Sequence, residues 1–169
     1  MDRIPEQRHV AGQQGIDVDS AMLRPGVPVF HVATRGMIYF HVRIRTGERD
    51  LHSGVFGGAA LSSTDALMQT LRAVLPGENG LLPDALRAGV AAPPEEEVRG
   101  WGELDPGSEL LEEGGARPSD SKAADEFYSR TWAEPSVTVN GFVGGEPLLQ
   151  KTVLPVCAEA NVSIRLAPG

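Results

Sequence analysis

From Val156 to Leu166 apolar and polar residues alternate without a break, the longest such run in the chain. Val156, Ala158, Ala160, Val162, Ile164 and Leu166 share one side, and Cys157, Glu159, Asn161, Ser163 and Arg165 share the other. A period of two describes a β-strand with one face on a core and one face free. Arg165 therefore falls on the polar face, and Cys157 reads as a structural thiol within the strand. A second alternation sets Ile38, Phe40, Val42 and Ile44 against Tyr39, His41, Arg43 and Arg45, with the apolar set pointing inward and His41 packed or facing solvent. A third sets Val137 and Val139 against Thr138 and Asn140, ahead of Gly141 and a return at Gly144-Gly145.

Between the first and second of these strands in chain order the period changes. Ser62 or Ser63 can cap a helix, and Asp65 stands in its first turn, where a negative charge suits the positive end of the helix dipole. Leu67, Leu71, Val74 and Leu75 recur at helical spacing, and Pro76-Gly77 ends the pattern. The spacing predicts a helix of about three turns on the sheet, with Met68 and Gln69 off its apolar stripe and available to a partner subunit. Residues 79–132 have a different texture, rich in Pro and Gly with short apolar pieces. It predicts short helices around Asp84 to Ala88, Glu95 to Leu104 and Lys122 to Arg130, held to the rest of the domain by Trp101, Phe127, Tyr128 and Trp132. Glu95, Glu96 and Glu97 are consecutive, do not share a helix face and read as solvated.

The 169 residues suit one domain. A formal charge of −8 opposes nucleic-acid binding, which needs concentrated positive charge. No apolar run is long enough to span a bilayer, and Asp2-Arg3 and Glu6-Gln7-Arg8 stand where a signal peptide would be apolar; a cytoplasmic protein is expected. The single Cys157 cannot form an internal disulfide. Residues 1–24 read as a leader or linker, with a short strand remnant at Ile16 to Met22. Pro25-Gly26-Val27-Pro28 then imposes an extended or turning path. His9 and His31 carry no chemistry in this reading.

The first strand runs into Asp50-Leu51-His52-Ser53-Gly54-Val55-Phe56-Gly57-Gly58. Its glycines let the backbone turn sharply or approach a ligand, which presents His52. This run, preceded by an Arg-Gly strand, resembles the lid domain of the zinc metallopeptidases that include carnosinase-like dipeptidases, aminoacylases and deacylases. Thr138-Val139-Asn140-Gly141 with Gly144-Gly145 matches in the same order. So does Thr152-Val153-Leu154-Pro155 followed by Ser163-Ile164-Arg165-Leu166-Ala167-Pro168-Gly169. The resemblance covers residues 25–169 and is nearest to the dipeptidase branch.

The resemblance implies an α+β, ferredoxin-like two-layer sandwich, with the helical insertion at about 79–132. The pattern stops before the last helix and strand of that unit, which would leave part of the core face near the first strand uncovered and one strand as an open edge. It also implies a homodimer formed through the helix Ser63 to Leu75 and the edge strand Ser136 to Asn140. Hydrolysis in this family uses two zinc ions held by another domain, so this chain is expected to bind no metal and to be inactive alone. By the same resemblance, His52 would donate to the oxyanion forming on the scissile carbonyl in the partner subunit's site. Arg165 would grip the carboxylate of a peptide or N-acyl amino acid, with Asn140 and Gly141 beside it. Gly141, Gly144 and Gly145 would keep that approach open. The alternative is a free-standing ferredoxin-like module that binds a protein or small ligand without catalysing anything.

Overall fold

A computed structural model describes residues 34–168. The expectations for residues 1–24, for Pro25 to Pro28, and for His9 and His31 lie outside the described residues. From Arg35 onward the chain forms one compact unit.

The three alternating segments become one antiparallel sheet. β1 (Met37–Arg45) and β3 (Ser136–Gly144) both pair with β5 (Cys157–Arg165), in the order β1-β5-β3. Ile44 lies opposite Ala158 and Ile38 opposite Ile164, while Val137 also faces Ile164 across the other ladder. The register thus keeps the apolar set of every strand on one side. A shift between Val139 and Gly141 places Asn140 in a bulge of β3.

The helix on that side is α2 (Ser63–Arg72). Ser62 is its N-cap, accepting from the backbone N–H of Asp65 at 3.4 Å. Leu67 and Leu71 meet Ala158, Ala160, Val162, Val137 and Leu82 in the core. Small residues on β5 let the helix approach closely. Gly144 does the same at the end of β3, where a Cβ would fall 2.5 Å from Thr64 Cγ2 and 3.0 Å from Ala158 Cβ. Helix packing alone therefore requires a glycine there. Ser63, fully buried, donates to the Pro155 carbonyl at 2.6 Å and ties the helix start to the approach to β5.

Burial on β1 is uneven. Val42 and Ile44 are half-buried against the core, whereas Ile38 and Phe40 are exposed by 42% and 48%. The inward-pointing set of β1 is thus covered by α2 at one end only.

The insertion folds as α3 (Asp84–Arg87), α4 (Glu95–Trp101) and α5 (Gly107–Glu113), then turns that lead into a π-helical stretch at Ser129–Ala133. α5 is absent from the sequence reading, and the Lys122 to Arg130 helix is replaced mostly by turns. The glycines and proline around α5 masked one. In the other the chain widens so that Arg130 can serve Asp120, Glu126 and the Asn79 carbonyl together. The aromatic residues pack on one another inside the insertion: Tyr128 stacks edge-on against Phe127 and Trp132, Trp132 against Trp101, and the Tyr128 hydroxyl donates to the Asp105 carbonyl at 2.8 Å, contacts that all lie within residues 79–132. Glu95, Glu96 and Glu97 are exposed at the start of α4.

Candidate functional site

His52 lies where two short elements meet. β2 (Leu51–His52) pairs with β4 (Val153–Leu154), and His52 then caps α1 (Ser53–Phe56). Its Nδ1 accepts from the backbone N–H of Gly54 at 3.0 Å. A ring nitrogen that accepts carries no proton, so in the neutral imidazole the hydrogen is on Nε2. That Nε2–H is directed to Thr152 Oγ1, 3.2 Å away. The Ser53 N–H donates to the Thr152 carbonyl at 2.9 Å, so the backbone on both sides of this contact is fixed. Gly54 is required by the ring itself: a Cβ there would stand 2.8 Å from Cε1 and 3.1 Å from Nδ1 of His52. The histidine is exposed to solvent, and the tautomer set by its neighbours makes it a hydrogen-bond donor.

Arg165 ends β5 on the polar face, exposed, between Met37 of β1 and Ser136 of β3. Arg35 is tied to the chain beside it. Its Nε donates to the Leu166 carbonyl at 3.1 Å, and its terminal nitrogens donate to the Thr131 carbonyl, to the Glu134 carbonyl at 2.6 Å and to Ser136 Oγ at 3.4 Å. Burial and the adjacent Arg165 hold the Arg35 pKa below its ordinary value. Neither arginine has a carboxylate partner among the described residues. The same holds for neither Arg87, paired with both oxygens of Glu134, nor Arg130, paired with Asp120 and Glu126.

The four residues singled out by sequence do not form one cluster within the chain. β5 alone spans about 26 Å, with Arg165 at one end and β4, the partner of His52, beyond the other. Asn140 and Gly141 lie mid-strand, about 13 Å along β3 from the position facing Arg165. Gly141 faces Asn161, whose Oδ1 is 2.9 Å from His41 Nδ1. His41 Nε2 is 3.3 Å from Glu159 Oε2, and Arg43 Nε is 3.0 Å from Glu159 Oε1. His41, Gly141, Glu159 and Asn161 line a shallow hollow of about 280 Å³ on the strand surface. The sequence reading gave Thr152, Gly54 and Arg35 no contact of their own. Each nevertheless stood in a segment that carried the resemblance: Gly54 in the run after β1, Thr152 ahead of β5 and Arg35 in the Arg-Gly pair before β1.

Among the described residues no three His, Cys, Asp or Glu side chains come together as a metal site. These residues do not fit a zinc centre, and no metal chemistry is assigned to them.

Residues 32–169 match the family model described as "Peptidase dimerisation domain". The chain belongs to this family. Among curated relatives it is 28% identical over 161 residues to the Cys-Gly metallodipeptidase DUG1 of Saccharomyces cerevisiae, covering 92% of this chain and 34% of that protein. It is 28% identical over 155 residues to the Beta-Ala-His dipeptidase of Rattus norvegicus, covering 89% of this chain and 31% of the relative. The dimerisation domain thus spans about a third of these relatives' length. Two solved structures share its fold and are over a quarter identical across the aligned residues. The Saccharomyces cerevisiae di-peptidase Dug1p has a TM-score of 0.64 and 30% identity, over 79% of this chain and 28% of that one. Human carnosine dipeptidase 1 has 0.65 and 27%, over 79% and 29%. A third, the M20 family metallo-carboxypeptidase Sso-CP2 of Sulfolobus solfataricus, aligns at TM-score 0.71 with 23% identity, over 86% of this chain and 39% of that one; it supports the fold alone. The mixed α+β architecture expected from the sequence is that of this family's dimerisation domain. No described helix is long and apolar enough to cross a membrane.

Proposed function

We propose that this domain is the dimerisation and substrate-binding lid of a zinc-dependent dipeptidase or N-acyl amino acid hydrolase, with the metal-binding residues supplied by another domain. His52 turns its Nε2–H from Thr152 to the oxyanion in the partner subunit's active site, and Arg165 binds the substrate carboxylate. Asn140 and Gly141 add hydrogen-bonding groups on the sheet surface, and the protein works as a cytoplasmic homodimer. The observation that carries this reading is the separation of His52 and Arg165 along the sheet. A dipeptide spans only about 7 Å, so one lid cannot put both groups on one substrate. Two lids related by a twofold axis can. The donor state of His52 supports the oxyanion role, because a preorganised N–H is the group that stabilises developing negative charge.

The test uses two inactive variants of the complete enzyme, His52→Ala and Arg165→Ala, mixed under conditions of verified subunit exchange. Heterodimers then hold one site with both groups intact, and activity should return to about a quarter of wild type, since half the dimers are mixed and each has one good site. Exchange without recovery would sink the shared-site reading. A zinc-loaded complete protein that cleaves no dipeptide or N-acyl amino acid would favour the non-catalytic module.

A further inference from the structure

We infer that Arg35 is a positioning residue for Arg165, fixing the chain next to it on β5 and opposite it on β3 while supplying a second positive charge to the same anion seat. The inference rests on the carboxylate-binding role proposed for Arg165.

The geometry is that of a clamp. Four donor contacts from one guanidinium reach two separate stretches of chain. One is the Leu166 carbonyl, next in sequence to Arg165. The other runs from Thr131 to Ser136, the entry to β3, and ends on the residue that faces Arg165 across the ladder. The Leu166 N–H in turn donates to the Gly36 carbonyl at 2.8 Å, so the first residue past β5 is held from both sides by the Arg35-Gly36 pair. A guanidinium has five N–H groups in a rigid fork. With these contacts made, Arg35 cannot offer a bidentate face to a ligand, whereas the exposed Arg165 can. Carbonyl oxygens satisfy the hydrogen bonds of Arg35 but leave its charge uncompensated. In a chain of formal charge −8, two adjacent guanidinium groups without a carboxylate among the described residues make a local seat for an anion. Lysine could supply the charge but not the bridge between the two stretches.

The test is a titration of the 169-residue chain, followed by the Nε–Hε signals of ¹⁵N-labelled arginine. N-acetylglycine is the carboxylate probe and N-acetylglycinamide the neutral control. In the wild type the Arg165 signal should move with the acid and not with the amide. Arg35→Gln should weaken acid binding about tenfold, as expected for loss of a charged group's support, and should lower the order of the Arg165 Nε–Hε vector while the amide signals of Val162 and Ser163 stay in place. Arg35→Lys, which keeps the charge, should recover part of the affinity but not the order. It decides the matter if Arg35→Gln does not fold. An Arg165 signal indifferent to the acid in the wild type overturns the carboxylate role itself. An Arg165 signal that responds alike, with unchanged order, in wild type and both Arg35 variants overturns the positioning role and leaves the carboxylate role standing.

Discussion

His52 Nε2 and Thr152 Oγ1 lie 3.2 Å apart although 100 positions separate the two residues in the chain. The two-residue ladder between β2 and β4 brings them together, and the Gly54 N–H on the other ring nitrogen decides which of the pair donates. In the complete enzyme, His52→Ala should lower the turnover number about 100- to 1,000-fold, the usual loss for one oxyanion donor. Thr152→Val should cost only a few-fold, because Gly54 still sets the tautomer and the Ser53–Thr152 backbone bond remains. Steady-state kinetics of the two variants side by side check this; equal losses would make Thr152 part of the reacting group's support.

Gly54→Ala should approach His52→Ala in effect while leaving the fold intact. The added methyl stands 2.8 Å from Cε1, closer than carbon atoms approach, so the ring must leave its place. Circular dichroism reports the fold and the turnover number reports the ring. Wild-type turnover in a folded Gly54→Ala enzyme would contradict the assignment of this ring position as the active one.

The core predicts its own mutational costs. Leu67 is fully buried between α2 and β5, and Leu67→Ala should destabilise the domain by about 2–5 kcal/mol. Ser63→Ala leaves the Pro155 carbonyl without its donor and should cost about 1–3 kcal/mol. Urea unfolding midpoints at constant m-value give both numbers. A loss below about 0.5 kcal/mol for Leu67→Ala would mean that this contact is not part of the folded state.

Acid should loosen the insertion. The hydrogen bond from Arg130 holds the Asp120 carboxyl well below the usual range, and that from Arg87 lowers Glu134. Carboxyls depressed in the folded state contribute stability that is complete above their unfolded pKa, about 4, and is lost as pH falls through the folded values. Tryptophan fluorescence from Trp101 and Trp132 should therefore change below about pH 4, and Asp120→Asn with Glu134→Gln should flatten that dependence. An unaltered acid profile in the double variant would assign the transition elsewhere.

Self-association should run through α2 and β3. Met68 is 53% exposed on α2, and β3 is an edge of the sheet, with unpaired backbone groups that a second copy can complete. Light scattering at about 100 µM, well above the dissociation constant of a standard-size interface, should report a dimer, and Met68→Asp should shift it toward monomer. A monomeric wild type at that concentration would exclude these surfaces as sufficient.

The strands and α2 could be read directly from the chain because each is specified by its own period. A strand with one buried face must alternate, and a helix on it must repeat its leucines every three or four residues; both patterns survive without knowledge of any partner. His52 and Arg165 could likewise be picked out, one by the glycines around it and one by its polar phase in β5. In the insertion α3 and α4 fall where the sequence placed them, but α5 and the turns before Arg130 did not show, because that part is held by side-chain contacts. Arg130 gathers Asp120, Glu126 and Asn79, and Arg35 draws Thr131 and Glu134 to Leu166, with no periodic trace in the sequence. The tautomer of His52, the clamp beside Arg165 and the distance between the two residues exist only once β2 meets β4 and β5 lies between β1 and β3. Local periodicity thus determined which residues face the core and which face solvent. Pairing across about a hundred residues of chain decided which polar groups meet, because hydrogen-bond partners are chosen by position in space and not by spacing along the backbone.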